Sequence, residues 1–495
     1  MGGDFSRQHS LAQFMPLPES EGQYPLEYIE AHSVIKLRED EEQVVVGVCD
    51  PCNSAIQHSL TRFHSKPVHF LRIDRAELAV YLGKRLSDMD TDPPRGGARD
   101  EERILLDRLA NDAPIVNLVN SLMIEAIRKG ASDIHIESFS KEARVRYRID
   151  GVLQTVARID KEKFPGVASR IKIMANLNIM ERRLPQDGRI SVHLGDGTFD
   201  VRVSIVPIAA GESIVLRLFT TNGVPPGLAD LGIDAERLRL IRMLVAVPHG
   251  LVLASGPTGS GKTTTLNAVI RELASESVKV VTIEDPVEYV IHGVGQIQTH
   301  EKIGLTFESL LRRVLRQDPD IVMVGEIRDS PTAELSVRAA LTGHLVLSTL
   351  HTNDAVSVIP RLRNMGVEPY LLAAVLRGAV AQRLIRRICT ACARPGKPTR
   401  EEKELLEKHG LSATRLFRGE GCDACGGTGF KGRTAIAEAF ASDESIEEMI
   451  LKGARTSAIS EYLRTRGFTS LLQNGLQKAI EGETTLAEVE SAAVS

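Results

Sequence analysis

The residues best suited to chemistry lie in the stretch Gly256-Pro-Thr-Gly-Ser-Gly-Lys-Thr263, which fits the pattern G-x-x-x-x-G-K-[ST]. Glycines at these positions let successive backbone N–H groups curl around a phosphate. The pattern predicts that Lys262 contacts the β- and γ-phosphates of ATP or GTP and that the Thr263 hydroxyl binds Mg²⁺. The loop residues that we expect to contact the nucleotide are Gly256, Pro257, Thr258, Gly259, Ser260, Gly261, Lys262, Thr263 and Thr264.

The segments on either side of this loop predict a strand-to-helix turn. Residues 251–254 form a short apolar run typical of a buried strand, and residues 263–273 have the composition of a helix. A phosphate loop needs this placement, because the positive end of the helix dipole then faces the anion. A chance glycine-rich loop is the alternative, and the flanking elements weigh against it.

Two further apolar segments end in acidic residues. Residues 318–326 predict a strand that ends at Glu326, and residues 281–288 predict a strand followed by Glu284 and Asp285. In P-loop enzymes, a carboxylate in such a position orients the attacking water or supports Mg²⁺. We expect Glu326 to polarise water, and Glu284 or Asp285 to support Mg²⁺ or act as a base. The alternatives are a solvated carboxylate at a strand end and a turn cap.

Two histidines flank a third apolar segment, residues 341–351. His344 comes near its start and His351 at its end. A neutral imidazole donates to a phosphate or orients a water, so both histidines are candidates for catalysis. The alternative is that each is a structural residue at a strand end.

All six cysteines fall into three C-x-x-C pairs. The pairs Cys389/Cys392 and Cys422/Cys425 together offer four thiolates, which predicts a structural Zn²⁺ site with no open position. Free thiols or a redox pair are the alternative. The third pair, Cys49/Cys52, has no matching second pair, and we expect these residues to belong to a turn.

Length and composition limit the classes of function. A chain of 495 residues predicts two to four domains. A net charge of −4, 4% aromatic residues and no Trp weigh against nucleic-acid binding. We find neither a signal-peptide pattern nor an apolar run near the ~20 residues of a membrane span. We therefore expect a cytoplasmic protein that reaches a membrane only peripherally, through partners.

Changes in composition along the chain predict its domains. Residues 228–388 alternate strands and helices, as parallel α/β sheets do. The predicted segments are a disordered tail at 1–23, a small α/β domain at 24–89, a flexible linker at 90–103, an α+β domain at 104–220, a linker at 221–227, the parallel α/β domain at 228–388, a four-cysteine module at 389–430 and a helical region at 431–495.

These motifs together resemble the secretion ATPase superfamily, the hexameric ATPases of type II secretion, type IV pili and conjugation. The likeness covers roughly residues 100–495, with a weaker match over 24–90. The stretches that resemble the family's Walker A box, Asp box, Walker B box and His box are, in that order, residues 256–263, 282–288, 320–326 and 343–351.

Within the superfamily, the chain looks most like the type II secretion assembly ATPases of the GspE/PulE group. Residues 131–137, 146–151 and 184–189 are similar to that group's second N-terminal domain, which has a PAS-like fold. The resemblance implies an α/β protein with a RecA-like P-loop NTPase core, a PAS-like α+β domain, a small N-terminal docking domain and a four-cysteine zinc module.

Arginines of the N-terminal domain reach the nucleotide phosphates in this family, and Arg202 and Arg217 match them. An arginine on a mobile domain closes onto the γ-phosphate and releases it after hydrolysis, so that the domain reports the nucleotide state. The alternative is an ordinary surface arginine. The other arginines that resemble those of the family's site or subunit interface are Arg312, Arg316, Arg328 and, more weakly, Arg433.

The resemblance implies a homohexamer that uses ATP and Mg²⁺, with structural Zn²⁺, to power pseudopilus assembly and protein export in type II secretion. Its implied partners are a GspL-type inner-membrane protein, bound through the N-terminal domain, and an inner-membrane platform protein. A type IV pilus extension ATPase is the near alternative. A nucleic-acid motor and a non-hydrolysing scaffold are more distant ones, and Lys262 and Glu326 weigh against the scaffold.

Overall fold

The computed structural model divides the chain into two compact units, Met1–Ile104 and Leu105–Ser495. The predicted linker at residues 90–103 lies outside the described residues, as does most of the predicted linker at 221–227. The residues that the structure describes are 3–15, 17, 24, 28–29, 32–40, 42–51, 54–64, 66–74, 76–78, 81, 105–194, 197–220 and 225–494.

The first unit is a small α/β sheet with the strand order β1-β4-β3-β2. Alternating valines of the third strand, Val44, Val46 and Val48, are buried in its core. Cys49 follows that strand and is half-buried against the same core, whereas Cys52 lies outside the described residues. The elements are β1 (Gly3–His9), β2 (Val34–Glu39), β3 (Val44–Val48), α1 (Ser54–Phe63) and β4 (Val68–Ile73).

The prediction of a disordered tail at residues 1–23 is wrong for its first part. Strand β1 pairs in parallel with β4, and a 3₁₀ helix, Leu11–Phe14, follows it. The carboxylate of Glu77 accepts hydrogen bonds from the hydroxyl of Ser10 and the backbone N–H of Leu11. The sequence of β1 has no alternation of apolar residues, so that its order depends on partners distant in the chain.

The second unit begins with an α+β domain, residues 105–220. Its antiparallel sheet has the order β7-β6-β5-β10-β9-β8. The apolar face of α2, with Ile115, Val119 and Leu122, joins the core of this sheet. The elements are α2 (Ala113–Arg128), β5 (Asp133–Ser138), β6 (Glu142–Ile149), β7 (Val152–Asp160), α3 (Phe164–Met174), β8 (Gln186–Leu194), β9 (Gly197–Ile208) and β10 (Gly211–Thr220).

The P-loop domain, residues 225–494, is built on a sheet with the order β13-β12-β14-β15-β11-β16-β19. Neighbouring strands run parallel from β13 to β16, and only the last pair, β16 with β19, is antiparallel. The strands are β11 (Gly250–Ser255), β12 (Val280–Glu284), β13 (Gly295–Gln298), β14 (Ile321–Val324), β15 (Leu345–Leu350), β16 (Leu376–Ile388) and β19 (Phe430–Ala441).

Helices cover both faces of this sheet, which explains why β11, β14 and β15 are buried along their whole length. A small sheet of β17 (Ala393–Gly396) and β18 (Leu416–Gly419) lies between β16 and β19 in the chain. The helices are α4 (Ala235–Val245), α5 (Lys262–Leu273), α6 (Phe307–Val314), α7 (Ser330–Leu341), α8 (Val358–Asn364), α9 (Pro369–Val375), α10 (Arg400–Lys408), α11 (Glu444–Leu451), α12 (Thr456–Thr465), α13 (Leu471–Glu481) and α14 (Leu486–Val494).

The predicted helical region at 431–495 needs correction, because its first residues form strand β19. This strand pairs with β16 from Gly378↔Ala441 to Ile388↔Phe430. Its alanine-rich sequence favours a helix, but pairing along a long neighbouring strand overrides that propensity. Helices α11–α14 then pack on the core of the P-loop domain. Among the described residues, no helix combines the length and apolar character that crossing a bilayer requires.

Candidate active site

The predicted phosphate loop joins the end of β11 to the start of α5. Gly256 and Gly261 have φ angles of 145° and 86°, which glycine adopts without strain. A Cβ atom at Gly256 would lie 2.5 Å from the Ser260 Oγ, so that no larger residue fits there. The strand and helix predicted around the loop are confirmed.

Lys262 is the buried cation of this loop. Its Nζ donates to the carbonyl oxygens of Gly256 and Pro257 at 2.8 and 2.9 Å. Burial lowers the pKa of Lys262 to about 8, although the nearby Glu326 carboxylate acts in the opposite direction. A cation held this way has little solvation of its own and gains strongly from an anionic ligand.

A cleft of about 540 Å³ opens above the loop and collects residues from several elements. Most of the predicted nucleotide residues line it, together with Arg217 from the α+β domain. The lining residues are Arg217, Thr258, Gly259, Ser260, Gly261, Lys262, Thr263, Thr264, Glu284, Asp285, Pro286, Glu288, Phe307, Gly325, Glu326, Arg328, Thr349, His351, Leu384 and Arg433.

Glu326 follows β14 and sits between two basic side chains. Its Oε2 lies 3.2 Å from the Nε2 of His351, which follows the neighbouring strand β15. Its Oε1 forms an ion pair with Arg328, and this hydrogen bond raises the pKa of the Arg328 guanidinium. Arg328 also lies 3.7 Å from Asp285. The Glu326 carboxylate is thus held in one orientation at the carboxyl edge of the sheet.

Glu284, at the end of β12, is 1% exposed. Its Oε1 accepts hydrogen bonds from the Thr282 hydroxyl at 2.6 Å and from the Gln296 amide at 3.0 Å. Its Oε2 is buried and has no hydrogen-bond partner among the described residues. Because buried carboxylate oxygens are normally satisfied, this atom fits a donor from the cleft, such as a metal-bound water.

The two arginines predicted from the α+β domain are paired across β9 and β10. Arg217 lines the cleft, and its Nε donates to the Oδ1 of Asp133 at 2.8 Å. Arg202 lies over the ring of Phe219, with its guanidinium carbon 4.6 Å from the ring centroid, and lines an adjoining groove that also contains Arg217 and Asp285. Burial and the neighbouring Arg189 lower the pKa of Arg202, which still remains charged at neutral pH.

The four cysteines of the predicted zinc module form a cluster. Cys389 and Cys392 follow β16, and Cys422 and Cys425 precede β19. Their Sγ atoms all lie within 4.8 Å of one another, and three of the pairs are 3.8 to 3.9 Å apart. Tetrahedral Zn²⁺ with Zn–S bonds of about 2.3 Å requires sulfurs about 3.8 Å apart. The donor set therefore fits a closed, structural zinc site.

Comparison with known proteins gives the family. The family described as Type II/IV secretion system protein matches residues 108–491. This chain belongs to that family. It is a secretion ATPase, which requires a nucleotide and Mg²⁺. The family described as MshEN domain matches residues 7–92, a range that includes part of β1.

Relatives of this secretion ATPase come from more than one machine. It is 42% identical over 434 residues to the "Type II secretion system ATPase E" of Vibrio cholerae, covering 88% of this chain and 86% of that protein. It is 40% identical over 481 residues to the "Type IV pilus assembly ATPase PilB" of Myxococcus xanthus, covering 94% of this chain and 85% of that protein.

Two solved structures share the fold of this secretion ATPase. The Legionella pneumophila ATPase DotB superposes with a TM-score of 0.56 at 22% identity, covering 76% of this chain and 94% of that one. The pilus retraction motor PilT, solved with bound ADP, gives a TM-score of 0.51 at 26% identity, covering 74% of this chain and 95% of that one. The predicted α/β fold with a P-loop ATPase core is confirmed.

Several predicted residues of this secretion ATPase are not among those that line the cleft: Gly256 and Pro257 at the base of the loop, Arg202 in the adjoining groove, and His344, Arg312 and Arg316. His344 precedes β15, and its carbonyl accepts from the N–H of Gly250, the first residue of the P-loop strand. It therefore lies at the opposite edge of the sheet, a strand length of about 20 Å from the loop. A catalytic role for His344 in this cleft is not supported. Arg312 pairs with Glu308 on α6, and Arg316 is exposed beyond that helix.

Sequence reasoning missed several residues that line the cleft. Thr349 lies near the end of β15, and its hydroxyl donates to the carbonyl of Gly325 at 2.7 Å. Phe307 begins α6, and Leu384 comes from the middle of β16. Thr349 could have been predicted, because it lies near the carboxyl end of a parallel strand, where ligands bind in α/β sheets. For Leu384 no local signal exists, because its strand passes the loop without ending there.

Proposed function

We propose that this secretion ATPase works as a homohexamer that hydrolyses ATP to power pseudopilus assembly and protein export in type II secretion. The observation that carries the proposal is the convergence in one cleft of a phosphate loop, two strand-end carboxylates and an arginine from the α+β domain. The Vibrio cholerae relative, which is named for type II secretion, supports the choice of machine.

In the proposed reaction, Lys262 and the loop N–H groups bind the β- and γ-phosphates. Glu326, oriented by His351, draws a proton from the water that attacks the γ-phosphorus, so that a new P–O bond forms as the bond to ADP breaks. The Thr263 hydroxyl and Glu284 would hold hydrated Mg²⁺, which neutralises charge on the phosphate oxygens. The lone Oε2 of Glu284 supports that role.

Arg217 and Arg202 would convert the state of the phosphates into a movement of the α+β domain. Among the described residues, Asp133 is the one side chain that pairs with Arg217, whose own side chain is 62% exposed, so that the Arg217 guanidinium still has donors free for a γ-phosphate. Closure onto ATP and release after hydrolysis would move the domain once in each cycle. This movement is the proposed power stroke.

The exposed arginines on and after α6 support the proposed ring. Arg312 and Arg316 lie outside their own chain's cleft, where they remain available to a neighbouring subunit. We expect turnover per protomer to rise with protein concentration as the ring forms, and Arg316→Ala to reduce turnover at high concentration. Arg338→Ala, which removes a similar exposed arginine from α7, is the matched control. Turnover per protomer that is independent of concentration would contradict completion of the site by a neighbour.

The proposed place of the ring is the cytoplasmic face of the inner membrane. The first unit would dock onto a GspL-type inner-membrane protein, and the moving domains would act on an inner-membrane platform protein. Type IV pilus assembly is the second candidate, because the Myxococcus xanthus relative that is named for it aligns over 94% of this chain. The proposed chemistry is the same for both machines.

Capture of partners by the full-length, tagged chain from membranes of the source cells separates the two machines. A single-span protein with an actin-like cytoplasmic domain is the result expected for type II secretion. Recovery of pilus platform proteins without it would move the assignment to pilus assembly. Turnover stimulated by nucleic acid would contradict both.

A further inference from the structure

Gln382, in the middle of β16, lies directly behind the phosphate loop and is 1% exposed. Its Nε2 donates to the carbonyl oxygen of Ser260 at 2.7 Å, and its Oε1 accepts from the hydroxyl of Thr265 at 2.9 Å. One buried amide thus joins the loop, the first turns of α5 and the central sheet. The proposed chemistry gives this side chain no role.

The bond to the Ser260 carbonyl has a consequence for the next N–H group. In a trans peptide the carbonyl and the N–H point in opposite directions. Because Gln382 holds the Ser260 carbonyl toward the sheet, the Gly261 N–H of the same peptide points away from the sheet. Gly261 lines the cleft, so this direction is the one from which a phosphate oxygen is reached.

Among the described residues, no other hydrogen bond reaches the Ser260 carbonyl. Gly259 and Gly261, on either side of Ser260, have φ angles of 78° and 86°, and glycine rotates between such conformations readily. Gly261 is the N-cap of α5 and offers no side chain to cap it. The Thr265 hydroxyl donates to the Gln382 Oε1 and so keeps the Gln382 NH₂ group turned toward Ser260. Thr265 therefore acts on the Ser260 carbonyl only through Gln382.

We propose that Gln382 is a positioning residue for nucleotide binding, which keeps the Ser260–Gly261 peptide turned so that its N–H meets a phosphate. The proposal rests on the assignment of the phosphate loop to ATP. Without the Gln382 amide, only a fraction of molecules have the competent peptide orientation, and the apparent affinity falls by that fraction. Bound enzyme keeps its normal geometry, so turnover at saturating ATP changes little.

The test uses full-length variants, titrated with a fluorescent ADP analogue and assayed for ATP turnover. We expect Gln382→Met to weaken ADP binding and raise KM about ten-fold, with kcat within about two-fold of the parent. Thr265→Val replaces the hydroxyl with a methyl group and so removes the hydrogen bond to Gln382, which should weaken ADP binding about three-fold. In the Gln382→Met background Thr265→Val should add nothing, and Thr265→Ser should behave as the parent.

Asn474 provides the matched control for a merely structural role. It is also a buried amide, which accepts from the N–H of Ala437 and donates to Asp234, and it does not line the cleft. Asn474→Leu should lower Tm and leave ADP affinity unchanged.

The proposal is overturned if Gln382→Met lowers Tm while ADP affinity stays within two-fold of the parent. It is also overturned if Thr265→Val weakens binding equally with and without Gln382. If Gln382→Met does not fold, Thr265→Val alone decides the question, and unchanged ADP affinity in that variant rejects the proposal. Failure of the loop assignment itself would appear separately, as unchanged ADP binding in Lys262→Ala.

Discussion

The carboxylate of Asp150 accepts a hydrogen bond of 2.8 Å from the backbone N–H of Gly432, although 282 positions separate the two residues. Asp150 lies in the turn between β6 and β7 of the α+β domain, and Gly432 lies near the start of β19 in the P-loop domain. The same carboxylate lies 3.9 Å from the guanidinium of Arg433, which lines the nucleotide cleft. The contact therefore ties the position of one domain to an arginine at the site of the other.

Removal of this contact should slow turnover. We expect Asp150→Ala to lower kcat/KM by about ten- to hundred-fold, because losing a charged acceptor costs about 1.5–3 kcal/mol. Asp150 has a φ of 49°, a conformation that Asn adopts more readily than Ala. Asp150→Asn keeps the backbone shape and an acceptor for Gly432, and any remaining loss in that variant reports the pairing with Arg433. The measurement is steady-state ATP turnover of both variants and the parent. Equal rates in Asp150→Ala and the parent would show that the contact between the two domains does not affect turnover.

The lowered pKa of Lys262 predicts how nucleotide affinity depends on pH. The protonated lysine binds phosphate, and in the free enzyme its proton is lost above about pH 8. ADP affinity should therefore be level below pH 8 and fall above it, by up to ten-fold per pH unit. Titration of the parent and Lys262→Arg between about pH 7 and about pH 9.5 tests this prediction, because arginine stays charged throughout. A fall of the same size in both proteins would assign the effect to another group.

The pKa of Lys262 also predicts a change in stability with pH. The folded-state value lies below the ordinary 10.5, so the unfolded chain binds more protons between pH 8 and pH 10.5. The free energy of unfolding therefore gains a contribution as pH rises through this window, and the cost of burying the cation is greatest below pH 8. The free energies of unfolding of the parent and Lys262→Met, measured in urea, should differ by a constant amount below pH 8 and approach each other between pH 8 and pH 10.5. Parallel curves would mean that the lysine is solvated.

Glu326→Gln should separate binding from hydrolysis. The amide keeps the size of the carboxylate but cannot take a proton from water, so turnover should fall by about 10²- to 10⁴-fold. ADP and ATP affinity should stay within a few-fold of the parent, because Glu326 faces His351 and Arg328 and makes no contact with the phosphate loop among the described hydrogen bonds. His351→Gln should give a smaller loss. If Glu326→Gln instead stops binding, the residue is structural.

The cysteine cluster predicts one zinc ion per chain. Cys422→Ser should reduce the zinc content measured by mass spectrometry and lower Tm, since structural zinc contributes directly to folding free energy. Cys49→Ser is the matched control, because Cys49 does not belong to the cluster, and it should leave the zinc content unchanged. Parent protein that contains no zinc, and whose Tm changes neither with added zinc nor with a chelator, would refute the site.

Local sequence signals identified most of the residues that the structure brings together in the cleft. The loop glycines and Lys262 follow from spacing alone, and Glu284 and Glu326 follow because the carboxyl ends of parallel strands meet at one edge. His344 was misplaced because the two ends of an apolar run look alike until the strand direction is known. Strand β19 was missed because its alanines favour a helix in isolation.

Contacts between distant residues were out of reach of the sequence. Asp150 and Gly432 belong to different domains, and Gln382 lies 122 positions from Ser260. Strand β1 is mostly polar and is held by backbone pairing with β4. Its sequence therefore lacks the hydrophobic pattern from which a strand is predicted. In each case the two residues or strands become neighbours only in the folded chain, so neither their spacing in the sequence nor the composition predicts the contact.

The pairing of β16 with β19 also matters while the chain is being made. Strand β16 leaves the ribosome before β19, and until β19 follows, one edge of an almost wholly buried strand has open N–H and C=O groups. Such an edge is a template for pairing with other chains. Cys389 and Cys425 lie where these two strands meet the segment between them, so a metal ion bound there would shorten the search that brings β19 to β16. Zinc that is available during synthesis would therefore reduce aggregation of the newly synthesised chain, before the protein hydrolyses any nucleotide.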